Sequence, residues 1–514
     1  MTSKNQLETK LKNTKALWIV FTLYLILSIV ISIFHEPWRD EAQAWLLARD
    51  CSLYDVLFHR PHLEGHPPVW YLILMPFAKL GCNYEITLKV INIAISSIGV
   101  LLILFRSPFK NSTKTLLVFS YTIFYQMTQV SRPYSLMLIA FIMLAITYRN
   151  RDNKPERFVA SLMFLCVTHM MGLLVAGLVS VVWVGKIIAQ TKFKNIHKDK
   201  RTWYLSGLLV LAILIVLQIK PTSDQLYSSP RTDSTSVEVL IGLPDTSIQF
   251  LNIYFNNIIV ELAVFILMYV LIVKLEKAYK KRFELLVPYT GVLIFLAFIY
   301  RALHLVVVLN FLWIYFLWIM YDTNSEDRDT VKINGGLLKH FDKILLGILS
   351  VSLVSTFRTT MIDVTNNYSS GRTIANIIKD NGWQDKTIYI DWNRQMIQLP
   401  YEFNCYFDEN VIDNLNSGDT NKGYAEFRYF EDDAYKEIMN TWKNKEPDIF
   451  IVGFFDDSLS AELSEIGYND LNESDYELYT TVREQMPWRM DWHEIVEYKI
   501  YVRKELGGEQ NGHK

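Results

Sequence analysis

Residues 35–68 read HEPWRDEAQAWLLARDCSLYDVLFHRPHLEGHPP, and they follow an apolar run, residues 17–34, long enough to cross a bilayer. Within this stretch lie Asp40, Glu41, Glu64 and four histidines, His35, His59, His62 and His66. Acids and imidazoles beside a membrane exit are costly to keep unless they do chemistry or bind something, so this loop is the first candidate for a functional site. The apolar run has the length of a secretory signal. However, HEPWRDE follows it in place of a small-residue cleavage site, which identifies a retained first helix.

Outward from that loop the chain is a membrane protein with a polar tail. It is 514 residues long, 51% hydrophobic and 14% aromatic, with mean hydropathy +0.15. A net charge of −2 provides no basic face and excludes a nucleic-acid partner. Four widely spaced cysteines form neither a metal motif nor a disulfide framework, although Cys51 and Cys82 fall on the same side and could pair. Apolar runs recur at 17–34, 86–105, 115–131, 135–148, 158–168, 172–184, 203–219, 250–273, 284–300, 302–321 and 343–357. Lysines before residue 17, and the basic clusters at 106–114, 149–157, 186–201 and 274–282, set the orientation. They fall on one side when 158–168 and 172–184 are two short spans meeting near His169, and when 69–80 lies on the outer surface without crossing. The expectation is an α-helical polytopic membrane protein with about 11–13 transmembrane helices. Its N-terminus is cytoplasmic and its membrane domain covers residues 1–357. Beyond 357, β-rich runs at 386–391, 448–453, 476–482 and 497–503 alternate with helical stretches at 370–380 and 432–445. Residues 358–514 therefore read as an extracytoplasmic α/β domain, to which we assign substrate binding or scaffolding.

With the sides fixed, the outer ends of the spans carry an unusual set of groups. The first loop (35–85) supplies Asp40, Glu41, Glu64 and His66. The 115–131 run leads into Arg132 and Tyr134, His169 sits at the tip of a helical pair, and Arg301 and His304 lie where the 284–300 run meets the next. A carboxylate near neutral pH can act as general base toward a hydroxyl. Arginine offers a fixed fork of donors suited to phosphate. Plainer readings stand beside each. Asp40 and Glu41 could start the helix AQAWLLARD, Arg132 and Arg301 could be interfacial anchors, and His169 could be a satisfied histidine between helices. The loop histidines could hold a metal, but their spacing fits no standard motif.

These residues also resemble a family. WRDEAQAW (38–45) followed by EGHPPVWYLILMPFAKLG (64–81) looks like the first outer loop of the GT-C glycosyltransferases, most of all the protein O-mannosyltransferase and aminoarabinose-transferase group. QVSRPYSLMLIAF (129–141), THMMGLL (168–174) and YRALHLVVVLNFLWI (300–314) continue the likeness across roughly residues 15–320. The resemblance implies a polyprenyl-phosphate sugar donor, an acceptor on the outer face and an acid of the Asp-Glu pair as base. By matching, that acid is Asp40, with Glu41 beside it, while Arg132 and Arg301 contact the lipid phosphate, helped by His304 or His169. Glu64, His66 and Tyr134 complete the substrate-binding set. A single displacement would invert the anomeric carbon, and a divalent metal could share the phosphate charge. The tail differs in length and pattern from the extra lumenal module of the mannosyltransferases, which argues against a protein acceptor. A glycan or lipid acceptor stays open. The competing classes are a lipid-linked-sugar transporter or flippase, which calls for polar groups at mid-membrane, and a non-catalytic envelope protein.

Overall fold

The computed structural model describes residues 2–191, 195–223, 243–244, 257–299, 303–322, 340–367, 370–390, 399–407, 446–453, 458–465, 468–486 and 494–507. Helices dominate up to residue 365: α1 (Thr2–Phe34), α2 (Arg39–Asp50), α3 (Arg60–Glu64), α4 (Val69–Lys79), α5 (Tyr84–Arg106), α6 (Asn111–Val118), α7 (Tyr134–Tyr148), α8 (Pro155–Thr168), α9 (Met170–Thr191), α10 (Lys200–Ile219), α11 (Ile258–Ala278), α12 (Leu286–Phe298), α13 (Val307–Tyr321) and α14 (Phe341–Thr365). Among the described residues six helices (α1, α5, α9, α10, α11 and α14) are long and apolar enough to cross a membrane. Four shorter apolar helices, α4, α7, α12 and α13, accompany them. Their shared core is aromatic-rich, with Tyr24, Phe141, Phe158, Tyr289, Phe311 and Tyr315 fully buried. Helix α4 is 11 residues long, about 16 Å, which is half a bilayer. It packs on α2 through Trp45, Leu46, Trp70, Tyr71 and Leu74 in a second apolar cluster.

One run expected to be a single span is not one. Residues 115–131 break at Phe119 and Ser120 into the end of α6 and a π-helical segment, Tyr121–Met127, followed by an irregular stretch to Pro133. Wide π turns leave carbonyls unpaired, and away from water these must find donors. Helix α5 provides them: Asn92 Nδ2 donates to the carbonyls of Met127, Thr128 and Val130 at 3.0–3.1 Å, and Ser96 Oγ donates to Met127 at 2.9 Å. Thus Asn92 and Ser96, one turn apart on an apolar helix, stabilise the break that delivers Ser131 and Arg132 to the first loop.

After α14 the chain enters α15 (Gly371–Asp380), β1 (Ile388–Ile390), α16 (Leu399–Asn404), β2 (Ile449–Gly453), α17 (Leu459–Glu465), β3 (Tyr476–Met486), β4 (Glu494–Arg503) and a last turn, α18 (Lys504–Gly507). Helix α15 ends at Gly382, whose φ of 66° suits glycine, with Trp383 N–H donating to the Ile378 carbonyl. The strands form one sheet in the order β1-β2-β4-β3, in which β1 and β2 are parallel and the other pairs antiparallel. Alternation along the strands splits the core. Ile388, Ile390, Ile449, Ile451, Ile500 and Val502 meet α15, while Tyr389, Phe450, Val452 and Tyr501 meet α17. The helix expected at 432–445 lies outside the described residues. All four cysteines are free thiols.

Candidate functional site

The first loop re-enters the protein as α2, and Glu41 explains why that helix starts where it does. The Trp38 N–H donates to Glu41 Oε2 at 3.1 Å, so an acid in the first turn caps its own helix. The other carboxylate oxygen accepts the Ser131 N–H at 2.6 Å, from the irregular stretch before α7. Glu41 is fully buried, and His35 Nε2 lies 3.7 Å from it. Both of its oxygens are engaged in building the site.

Asp40 points elsewhere. Its side chain is 21% exposed, 3.6 Å from Arg132 Nη2 and 3.4 Å from Arg39 Nε. Arg132 Nη1 also donates to the Asp40 carbonyl at 2.8 Å, fixing the guanidinium over the first turn of α2. Burial opposes the charge on Arg132, but Asp40 and Glu64 outweigh it and keep the guanidinium protonated. Glu64, at the end of α3, accepts from Gln43 Nε2 and Arg60 Nη2, each at 3.0 Å. Burial pushes its carboxyl up, while Arg60, Gln43 and Arg132 pull it down, leaving it above its ordinary value. Gly65 then turns the chain in the left-handed region at φ 67°, and Pro67 and Pro68 follow.

His66 lies against His169, with ring centroids 4.4 Å apart and planes tilted by 35°, and the Tyr134 ring lies 5.3 Å from His169. His169 is extended between α8 and α9, and its Nδ1 accepts the Met171 N–H at 3.0 Å, which leaves the proton of a neutral ring on Nε2. Gly172 makes that turn feasible, because a Cβ there would stand 2.2 Å from the Leu165 carbonyl oxygen. The structure therefore gathers Asp40, Glu41, Glu64, His66, Arg132, Tyr134 and His169 on one face of the bundle. Arg301 lies outside the described residues. His304 sits in a 3-10 turn, Leu303–Val306, next to α13. The loop histidines part company: His35 meets Asp363, His59 meets Asp55, His62 meets the Lys220 carbonyl and His66 meets His169. Among the described residues no group of three or more His, Cys, Asp or Glu is placed to hold a metal ion.

Two polar knots behind the site were not foreseen. In the first, His35 Nδ1 meets Asp363 Oδ2 at 2.9 Å, and the Tyr125 hydroxyl donates to the same oxygen at 3.0 Å. Burial opposes a charge on His35, yet Asp363 and Glu41 overcome it and lift its pKa to about 10. The second knot ties the tail to the loop. Arg372 N–H donates to Glu36 at 2.6 Å, and Arg372 Nε donates to Glu85 at 2.8 Å. The Tyr406 hydroxyl donates to Glu85 at 2.7 Å, and Arg49 Nη1 donates to the Phe407 carbonyl at 2.8 Å. Helix α2 is thus held between the Ser131–Arg132 stretch and the tail. The only sequence signal for either knot was an acid or base isolated in apolar or turn-rich surroundings, as with Asp363 near the end of α14.

An apolar helical bundle with acids and arginines gathered at one face, followed by a small α/β domain, is a membrane fold that has a counterpart among solved structures. In particular, the chain superposes on the crystal structure of ArnT from Cupriavidus metallidurans bound to undecaprenyl phosphate. The TM-score is 0.50 over 95% of this chain and 98% of that one, at 11% sequence identity. At that identity the likeness is one of fold. No protein-family model matches the sequence, and no curated protein matches it either.

Proposed function

We propose that this protein transfers a sugar from a polyprenyl-phosphate donor to an acceptor on the outer face of the membrane. The N-terminus is then cytoplasmic, the membrane domain spans 1–357 and the 358–514 domain stands outside. The observation that carries this reading is the Asp40–Arg132 pair, an acid and a buried guanidinium set side by side at one end of a GT-C bundle. Arg132 binds the donor phosphate and stabilises the charge that grows on it as the bond between C1 and the phosphate oxygen breaks. Asp40 takes the proton of the acceptor hydroxyl while that oxygen bonds to C1 from the opposite side, so the anomeric centre inverts. Polyprenyl phosphate leaves. Glu41 positions α2, and the His66, Tyr134 and His169 rings together with Glu64 line the sugar side. Arg301 is proposed as the second phosphate ligand, with His304 beside it.

The test supplies purified protein with a panel of polyprenyl-phosphate sugars and follows release of polyprenyl phosphate. Asp40→Asn and Arg132→Gln should abolish release while the protein remains folded. Unchanged release in both variants would overturn the assignment of these residues.

A further inference from the structure

A second charged site lies at the far end of α7. Tyr134, at its start, belongs to the site above, and Tyr148, at its end, is about 21 Å away along the axis, at the opposite face of the bundle. There Glu284, almost fully buried, accepts from the Tyr148 hydroxyl at 2.6 Å. Lys186 of α9 donates to the same Glu284 oxygen, and Arg151 Nη2 lies 3.6 Å from it. The Arg151 guanidinium stands 3.7 Å from the Tyr148 ring centroid, and Lys281 Nζ stands 4.9 Å from it. Among the described residues three cations thus surround one carboxylate. Asp152 and Asp322 offset part of this excess, reaching Arg151 and Lys281, but each is also held by a cation of its own, Arg201 and Arg149. Burial, then Arg151 and Lys186, lower the proton affinity of Lys281 against the pull of Glu284. An arriving anion would relieve this crowding. A topogenic basic cluster has no need of a cation as withdrawn as Arg151, whose side chain is only 13% exposed.

The loop beside the cluster provides an independent observation. In Lys280–Leu285 both Lys280 (φ 53°) and Phe283 (φ 69°) adopt left-handed backbone, which is costly for residues with a Cβ. Glu276 holds this shape by accepting the N–H groups of Phe283, Leu285 and Leu286 at 2.7–2.8 Å. The result is Phe283, 54% exposed, standing between Arg282 and Glu284 at the end of the bundle. An exposed ring amid cations at a membrane boundary matches a surface that is apolar below and anionic above.

We propose that Arg151, Lys186 and Lys281, gathered around Glu284, bind the phosphate of an anionic phospholipid, with Phe283 entering its acyl region. The site stands on the membrane fold and does not depend on the sugar-transfer reading.

Native mass spectrometry of the full chain with phosphatidylglycerol or phosphatidylcholine of the same acyl chains tests it. We expect phosphatidylglycerol to be retained about tenfold more tightly, and the preference to fall to near parity in the Lys186→Ala/Lys281→Ala variant. Glu284→Gln, which removes the opposing charge at the centre of the cluster, should strengthen retention, an inversion that loss of fold would not produce. Phe283→Ser should weaken retention of both lipids. Equal retention of the two lipids by the wild type would overturn the proposal. So would an undiminished preference in the lysine variant, or displacement of phosphatidylglycerol by millimolar inorganic phosphate.

Discussion

The adjacent acids Asp40 and Glu41 should respond oppositely to neutralisation, because their surroundings differ. Glu41 is fully buried and takes two backbone N–H groups, at 3.1 and 2.6 Å, one on each oxygen. Hydrogen bonds to a charged group contribute about 1.5–3 kcal/mol each. In Glu41→Gln one oxygen survives, while the new NH2 faces a backbone donor that it cannot accept from. The charge opposite His35 also disappears. The expected cost is about 3 kcal/mol. The Asp40 side chain is partly exposed and its ion pairs are 3.4 and 3.6 Å long, so Asp40→Asn should cost at most about 1 kcal/mol. Thermal unfolding in detergent, followed by tryptophan fluorescence, should show Glu41→Gln melting well below wild type and Asp40→Asn close to it. Sugar transfer should be lost in Asp40→Asn even where the protein is fully folded. If Glu41→Gln were as stable as wild type, or Asp40→Asn were the variant that melts early, the division of labour drawn between the two acids would be wrong.

Other expectations follow from the same contacts. His35 has a raised pKa in the folded protein, so its stabilising contribution is complete below about 6.5 and is lost as pH rises through about 10. Melting temperature should fall over that window, and the fall should be shallower in His35→Gln. Gly172→Ala forces a Cβ to within 2.2 Å of the Leu165 carbonyl oxygen and should cost about 3 kcal/mol or more, read as loss of folded protein on size-exclusion chromatography. Gly177→Ala, in the same helix with open space around it, should be tolerated. Arg372→Ala removes the Nε donor from Glu85, while the backbone N–H stays on Glu36 and Lys89 stays on Glu85, and should loosen the tail by about 2 kcal/mol. Limited proteolysis should then cut between α14 and α15 much faster than in wild type.

The bundle was legible in the sequence because spanning helices announce themselves by length and apolarity, and runs such as 86–105 and 203–219 lie almost residue for residue within α5 and α10. The strands of the tail were equally plain, from the β-branched and aromatic residues of IYI, IFIVG and EYKIYVR. The break in 115–131 was not legible. Hydropathy sees an uncharged, mainly apolar run there, and the donors that satisfy the open turns sit on another helix, at Asn92 and Ser96. Likewise Asp40 and Glu41 are equivalent in a string of letters. What separates them is helical geometry, which turns the N3 position back onto its own cap and sends its neighbour toward Arg132. The partners of His35 and Arg372 lie more than 280 residues away or in another domain, beyond any local pattern.

The most direct test of the central claim is release of polyprenyl phosphate from a polyprenyl-phosphate sugar by the purified wild-type protein, beside Asp40→Asn and Arg132→Gln at matched folded concentration. The wild type should release polyprenyl phosphate with inversion at C1, and neither variant should release any above background. Release that persists in both variants, or no release by folded wild type with any donor sugar of the panel, would contradict it.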